Sequence, residues 1–245
     1  MRRKPAPAAP RENKLRDTEL VRRIIAGDHN AFRLLVRRYN RMLFRVARSI
    51  LKDDVEAEDA MQQAYMSACR AIDAFRARAK LSTWLVRIVV NEAIALSRKR
   101  SRRTNLISPD GDAEHRGETA ESNLNKATPE QPEHATQRMQ MRRMLEASID
   151  ALPDALRTVF ILRAVEEMTV KETATALDVP EATVRTRFFR AKRLLREALS
   201  REIDGVSFDD VFPFAGAYCD RIVAVVLAGL KECSHPLGTK LTPQS

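Results

Sequence analysis

The sequence predicts an all-α protein with two helical domains joined by a flexible linker, and three observations lead to this prediction. Apolar residues recur at spacings of three and four along most of the chain, as they do on one face of a helix. Glycine is scarce, with 7 among 245 residues, and no alternating strand pattern stands out. Residues 104–137 are polar and nearly devoid of large apolar side chains, so they cannot bury a core of their own.

The first predicted domain covers residues 15–103 and follows a basic, Pro/Ala-rich arm, 1–14, that we expect to be disordered. Its opening helix should end at Gly27, a residue typical of helix C-termini. Ser82 or Thr83 is expected to cap its last helix. The predicted helices of this domain are 18–26, 30–51, 53–75 and about 83–100, with a short basic loop at 76–80.

The second predicted domain covers residues 138–204 and contains a helix, a tight turn and a second helix rich in cations. Thr169 should cap the first of these two helices, and Pro180 should separate them because it disfavours helical geometry at the residue before it. Residues 205–245 form a C-terminal extension. The other predicted helices are 139–152 and 154–165 in the domain and 215–231 in the extension.

The second helix of this pair, which opens at Glu181, has an apolar side and a basic side. Val184, Phe188 and Leu195 should form its buried stripe. Such a helix, held by a short turn behind another helix, fits the major groove of DNA. The alternative is a solvated basic helix in an ordinary bundle.

The overall charge favours a polyanionic partner, such as nucleic acid or an acidic membrane surface. The formal net charge is +10 and the sequence pI is about 9.9. The three cysteines suit a reducing compartment. Cys219, Cys233 and His235 lack the spacing of a zinc site, and no pairing of nucleophile and base is evident. We therefore expect no metal, no cofactor, no enzymatic activity and no membrane span.

Two motifs on either side of the linker resemble bacterial RNA polymerase sigma factors of the extracytoplasmic-function (ECF) group of the sigma-70 family. The first, EAEDAMQQAYMSACRAIDAFRARAKLSTWLVRIVVNEAIALSRKR at 56–100, is similar to region 2 of that family. The second, ALPDALRTVFILRAVEEMTVKETATALDVPEATVRTRFFRAKRLLR at 151–196, is similar to region 4. The resemblance implies a protein that binds core RNA polymerase, recognises −10 and −35 promoter elements and promotes DNA melting, without catalysis of its own.

The resemblance also implies roles for particular residues. Those expected to bind the polymerase are Asp59, Met61, Gln62 and Gln63, although Met61 and the nearby Tyr65 could instead belong to the core. Those expected at the −10 element are Arg76, Arg78, Lys80, Ser82, Trp84, Arg87, Asn91, Arg98 and Arg100, with Trp84 again a core candidate. Those expected at the −35 element are Arg185, Thr186, Arg187, Phe189, Arg190, Lys192 and Arg193.

The implied partners are the β′ clamp and β flap of core RNA polymerase, promoter DNA and an anti-sigma factor. The implied location is the bacterial cytoplasm, in association with the nucleoid when the protein is active. A stand-alone helix-turn-helix regulator is the main alternative, and an adaptor without a DNA role is a more distant one. The C-terminal extension should be either a regulatory element or a helix packed on the second domain.

Overall fold

The computed structural model describes residues 16–75, 79–107, 132–199 and 217–229, and every regular element in these ranges is helical. The expected N-terminal arm, Arg76 and Arg78 of the basic loop, and most of the linker lie outside the described residues. The helices are α1 (Asp17–Ile25), α2 (His29–Leu51), α3 (Asp54–Ala71), α4 (Leu81–Ile107), α5 (Pro132–Asp150), α6 (Asp154–Phe160), α7 (Val170–Leu177), α8 (Glu181–Ala198) and α9 (Ala217–Gly229). A 3₁₀ turn, Ile72–Ala74, follows α3, and a π-helical turn, Ile161–Val165, follows α6.

Local sequence explains the boundaries of the first helices. Gly27 follows the end of α1 and has a φ of 84°, a conformation that favours glycine. The Asp28 carboxylate accepts hydrogen bonds from the N–H groups of Asn30 and Ala31 and so caps α2. Asp53 caps α3 in the same way through the Glu56 N–H. These caps satisfy donors that would otherwise lack partners at the helix starts.

The first domain is a bundle of α2, α3 and α4 around one apolar core, with α1 packed against α2. The buried positions of α2 follow the predicted spacing of three and four, and include Phe32, Leu35, Val36 and Leu43. Trp84 is half-buried at the start of α4, with its ring centroid 5.5 Å from that of Phe75.

The boundaries of α4 and α5 differ from the prediction. The fourth helix begins at Leu81, so Ser82 and Thr83 lie inside its first turn instead of capping it. The helix also continues to Ile107, and α5 begins at Pro132, so both helices extend into the segment predicted as a linker. Proline is well tolerated at the first helical position, because the N–H that it lacks has no partner there.

The two domains pack directly against each other, which the sequence did not predict. The Arg157 guanidinium of α6 is fully buried and donates to the Ser49 carbonyl of α2. Arg45 of α2 forms a buried ion pair with Glu166, with Nη1 and Oε1 3.1 Å apart. Arg48 of α2 forms a second ion pair, with its Nη2 2.8 Å from the Asp150 Oδ2. Buried cations with carboxylate and carbonyl partners therefore line the contact between α2 and the second domain.

The C-terminal helix α9 packs against α2 and α3 of the first domain. Of the two alternatives considered for this extension, packing on the second domain is therefore wrong. Ile222, Val223 and Val226 are buried and join the core of the first domain. The apolar face of α9 was predicted from its spacing, but its partner is the edge of a bundle about 160 residues earlier in the chain.

Candidate nucleic-acid interface

The helix-turn-helix is built from α7 and α8 as the sequence predicted. The Thr169 hydroxyl accepts from the Glu172 N–H at 3.2 Å, and the Glu172 carboxylate accepts from the Thr169 N–H at 2.8 Å. This reciprocal capping box fixes the start of α7. Asp178 takes a left-handed conformation with φ of 54°, which ends α7, and Pro180 precedes α8. The two helices are thus held at a tight, well-defined turn.

One side of α8 is buried in the second domain. Val184, Ala191 and Leu195 are almost fully buried. Phe188 is half-buried and stacks on Phe160, with ring centroids 6.3 Å apart. The predicted stripe of Val184, Phe188 and Leu195 is confirmed, and Ala191 belongs to it as well. This packing leaves the opposite side of α8 facing outward.

The outward side of α8 carries most of the residues predicted for the −35 element. Phe189 is 70% exposed, so its ring is accessible to a partner. Arg185 is exposed and held by Glu181, with its Nη2 2.6 Å from a carboxylate oxygen. The exposed candidates on α8 are Arg185, Thr186, Phe189, Arg190, Lys192 and Arg193. Arg187 alone of the set is half-buried, at the flank of this surface.

A second basic surface lies along the first two-thirds of α4. Arg87, Asn91 and Arg98 are exposed, and their spacing of four and seven places them on one stripe of the helix together with Trp84. Lys80, which precedes α4, is also exposed. This stripe brings together most of the described residues predicted for the −10 element.

Two residues predicted for the −10 element do not belong to the stripe. Arg100 lies on roughly the opposite side of α4 and pairs with Glu56 of α3, with Nη1 and Oε2 3.0 Å apart. Ser82 is half-buried and likewise lies away from Arg87 and Asn91. Helical spacing accounts for the separation, because Ser82 and Arg100 each lie nine residues from Asn91 and so fall about half a turn out of phase with it.

The start of the α4 surface is held against the helix-turn-helix. The Lys80 Nζ lies 2.7 Å from the Glu172 Oε1 of α7, and α7 packs against α4. The hydrogen bond from Lys80, followed by the one from the Thr169 N–H, lowers the pKa of Glu172 to about 2. Glu172 therefore serves both as part of the cap of α7 and as a link between the domains, a role that its spacing alone could not reveal.

The residues predicted to bind polymerase lie on α3 and differ in accessibility. Asp59 and Gln63 are exposed and Gln62 is half-buried. Met61 is fully buried, which favours the core interpretation of that residue. Tyr65 is also buried, and its hydroxyl donates to the Asn40 Oδ1 at 2.7 Å. Of the four predicted residues, Asp59, Gln62 and Gln63 are therefore accessible to a partner.

The described ranges contain neither a membrane span nor a metal-binding cluster. None of the helices there is long and apolar enough to cross a membrane. Within the same residues, no group of three or more His, Cys, Asp or Glu side chains is placed to hold a metal ion.

Comparison with known proteins identifies both domains. The sequence pattern of Sigma-70 region 2 matches residues 35–103, and that of Sigma-70, region 4, matches residues 142–195. The chain is 35% identical over 184 residues to the RNA polymerase sigma-H factor of Pseudomonas aeruginosa, covering 75% of this chain and 93% of the relative. It is 36% identical over 191 residues to the ECF RNA polymerase sigma-E factor of Escherichia coli K12, covering 78% of this chain and 95% of that protein.

Two solved structures share the fold. CnrH in complex with the cytosolic domain of CnrY matches with a TM-score of 0.51 and 24% identity, over 76% of this chain and 98% of that one. The sigma factor RpoE in complex with the anti-sigma factor NepR from Bartonella quintana matches with a TM-score of 0.52 and 23% identity, over 69% and 94%. Two sigma regions in family order, with full-length relatives above 30% identity, place the chain in the sigma-70 family as an ECF sigma factor, a transcription initiation factor that binds core RNA polymerase and promoter DNA.

Proposed function

We propose that the two domains of this sigma factor divide promoter recognition between the two basic surfaces described above. The outward side of α8 reads the −35 element, and the stripe on α4 takes the −10 element as its strands separate. The observation that carries this assignment is the placement of these residues outward on two different helices, each backed by its own core.

The chemistry of α8 suits reading a duplex in the major groove. An arginine such as Arg185 can donate two hydrogen bonds to guanine, and the exposed Phe189 ring can contact a thymine methyl group. Lys192 and Arg193 at the flanks can neutralise phosphates, which positions the helix without selecting a sequence. The ion pair of Arg185 with Glu181 is solvent-exposed, so little free energy is lost when the arginine turns to a base.

The α4 stripe suits a strand that has left the duplex. Melting requires that the protein bind the unpaired state better than the paired one. Arg87, Arg98 and Lys80 can hold phosphates, while Asn91 can hydrogen-bond to a base edge. The half-buried Trp84 ring leaves part of its surface beside the stripe, where an unstacked base could pack.

Polymerase binding is assigned to the exposed side of α3. Asp59 and Gln63 lie one turn apart there, with Gln62 beside them. In this proposal they dock on the β′ clamp, while the second domain contacts the β flap. The same proposal places the protein in the cytoplasm, at the nucleoid when active, because its template is there.

An anti-sigma factor is part of the proposal. CnrH and RpoE, the two structural neighbours, were both solved with a bound regulator, and the second is named an anti-sigma factor. A regulon that responds to stress or to an external signal would fit such control. The stand-alone regulator is disfavoured because residues 35–103 match a region that a helix-turn-helix repressor does not need.

The first test is transcription in vitro with purified core RNA polymerase on fragmented genomic DNA, with and without this protein. We expect new transcripts from discrete start sites, whose alignment yields the two promoter elements. Sequence-specific DNA binding without any binding to core polymerase would instead support the stand-alone regulator.

A matched pair of variants tests the α4 assignment on a promoter found this way. Arg87→Ala should lower open-complex formation by about tenfold, as expected for loss of one strong contact to DNA. Arg100→Ala removes the same side chain from the other side of the same helix and should change it less than about twofold, because surface ion pairs contribute little. Equal losses in both variants would contradict the assignment of the stripe.

A further inference from the structure

The C-terminal helix α9 lies in a groove between α2 and α3, and contacts are spread along its length. At its start the Asn40 Nδ2 of α2 donates to the Cys219 Sγ at 3.1 Å. Near its end, a Cβ atom on Gly229 would lie only 2.9 Å from the Met66 Sδ of α3. The end of the Met66 side chain therefore lies against α9 at this position. Since α9 also buries three aliphatic side chains, it is a docked element of the first domain.

An ion pair between an exposed arginine of α9 and a buried carboxylate of α3 joins the two helices. The Arg221 guanidinium donates to both carboxylate oxygens of Glu58, at 2.8 Å and 2.5 Å. The Glu58 side chain is only 8% exposed, so without a cation it would be a buried charge that has lost its water. Two parallel hydrogen bonds also fix the orientation of the pair.

The groove includes part of the surface assigned to polymerase. Glu58, Gln62 and Met66 are spaced by four and follow one stripe of α3. Because α9 contacts both Glu58 and Met66, the half-buried Gln62 lies between two points that α9 touches. Asp59 and Gln63 are on the adjacent, exposed stripe. A partner that engages Gln62 together with these two residues must approach the edge where α9 lies.

We propose that α9 is an intramolecular ligand of the polymerase-binding side of α3, and that it must leave its groove before core RNA polymerase can bind fully. The inference rests on the assignment of Asp59, Gln62 and Gln63 to polymerase binding. Arg221 and the Val223 face supply the cation and the apolar surface that Glu58 and the groove require. The occupied groove lowers the apparent affinity for polymerase in proportion to the fraction of molecules with α9 released.

Charge reversal at Arg221 tests the proposal in the full-length protein. Arg221→Glu places a second carboxylate beside Glu58 and should release α9, seen as faster amide hydrogen exchange over 219–229. Its apparent affinity for purified core polymerase should rise about tenfold if about one molecule in ten is open in the wild type. The control, Ala228→Glu, adds an acid at an exposed position of the same helix and should leave both measurements unchanged.

A reversible disulfide crosslink tests whether holding α9 in its groove weakens the binding of polymerase. In Asn40→Cys the new thiol faces the native Cys219, so oxidation should lock α9 in its groove. The oxidised form should bind core polymerase about tenfold more weakly than the same protein after reduction, whereas the wild type should show no such difference. Comparing two states of one variant removes any effect of the substitution itself on stability.

The outcomes separate this inference from the assignment on which it rests. If released and locked forms bind core polymerase with equal affinity, α9 does not compete and the inference is overturned, while polymerase binding stands. If no form binds core polymerase, both the assignment and the inference fail. Tighter binding by Arg221→Glu together with weaker binding by the oxidised crosslink supports both.

Discussion

The two basic surfaces differ in how each is placed relative to the other domain. The outward side of α8 has no close packing against the first domain among the described helices, and Phe189 and Arg190 are exposed. The α4 surface begins at Lys80, which is tied to Glu172 of α7, and α4 itself packs against α7. One surface is therefore accessible, whereas the start of the other is engaged by a neighbouring domain.

The difference teaches that α7 has two partners. It supports α8 inside the helix-turn-helix, and its Ala176 and Leu177 join the apolar cluster of the first domain.

The elements named −10 and −35 lie about 25 base pairs apart, or about 85 Å along B-DNA. Two small helical domains in direct contact would have to separate to reach both elements at once. The predictions below test this comparison, from the largest expected effect to the smallest.

Removing Arg157 should cause the largest change. Its buried guanidinium donates to the Leu152 carbonyl at 2.8 Å and the Asp154 carboxylate at 2.7 Å, and also to Ser49 across the domain contact. Arg157→Ala should lower the free energy of unfolding by about 3 kcal/mol, because buried acceptors lose their donors. Urea unfolding followed by circular dichroism measures this loss.

The control for that experiment is Arg143→Ala, which removes the same side chain from an exposed position on α5. It should change the unfolding free energy by less than about 0.5 kcal/mol. If both variants unfold alike, the contact between the domains is weaker than the burial of Arg157 indicates.

Substitutions on α8 should alter DNA binding without altering the domain contact. In the holoenzyme, Arg185→Ala should lose about 1–3 kcal/mol of discrimination at one base pair of the −35 element. Lys192→Ala should weaken binding to all sequences alike and reduce the salt dependence by about one phosphate contact. Competition between promoter variants at several salt concentrations measures both. Uniform loss in both variants would refute base reading by Arg185.

The link between Lys80 and Glu172 should show a smaller effect that depends on pH. The pKa of Glu172 is about 2 in the folded protein against an ordinary value of 4.5, so its contribution to stability is complete above about pH 5. This contribution to stability is lost as the pH falls below that value towards 2. Glu172→Gln removes the charge, and it should flatten this acid-induced loss while lowering stability at neutral pH by about 1 kcal/mol or less.

Thermal unfolding between pH 3 and 7 measures this effect in both proteins. Glu181→Gln is a suitable control, because Glu181 pairs with Arg185 at the surface and touches no other domain through that pair. An identical pH profile for wild type and Glu172→Gln would show that the Lys80 contact does not persist in solution.

Much of the fold could be predicted from patterns among neighbouring residues in the sequence. The start of α7 at Val170, its cap by Thr169 and the opening of α8 at Glu181 follow from capping and proline rules that act within a few residues. The buried sides of α2 and α8 follow from apolar spacing. The same rules misplaced the cap of α4 and the ends of the linker, where polar residues continue a helix without an apolar face to mark it.

The sequence by itself determined the helices, the two domains and the basic, outward side of α8, because these depend on neighbours within one or two turns. Only the tertiary structure decided that Arg100 pairs with Glu56, that Glu58 pairs with Arg221, and that α7 packs on the first domain. Contacts of this kind join residues that are far apart in the chain. They depend on how preformed helix surfaces fit together, and no local spacing encodes that fit.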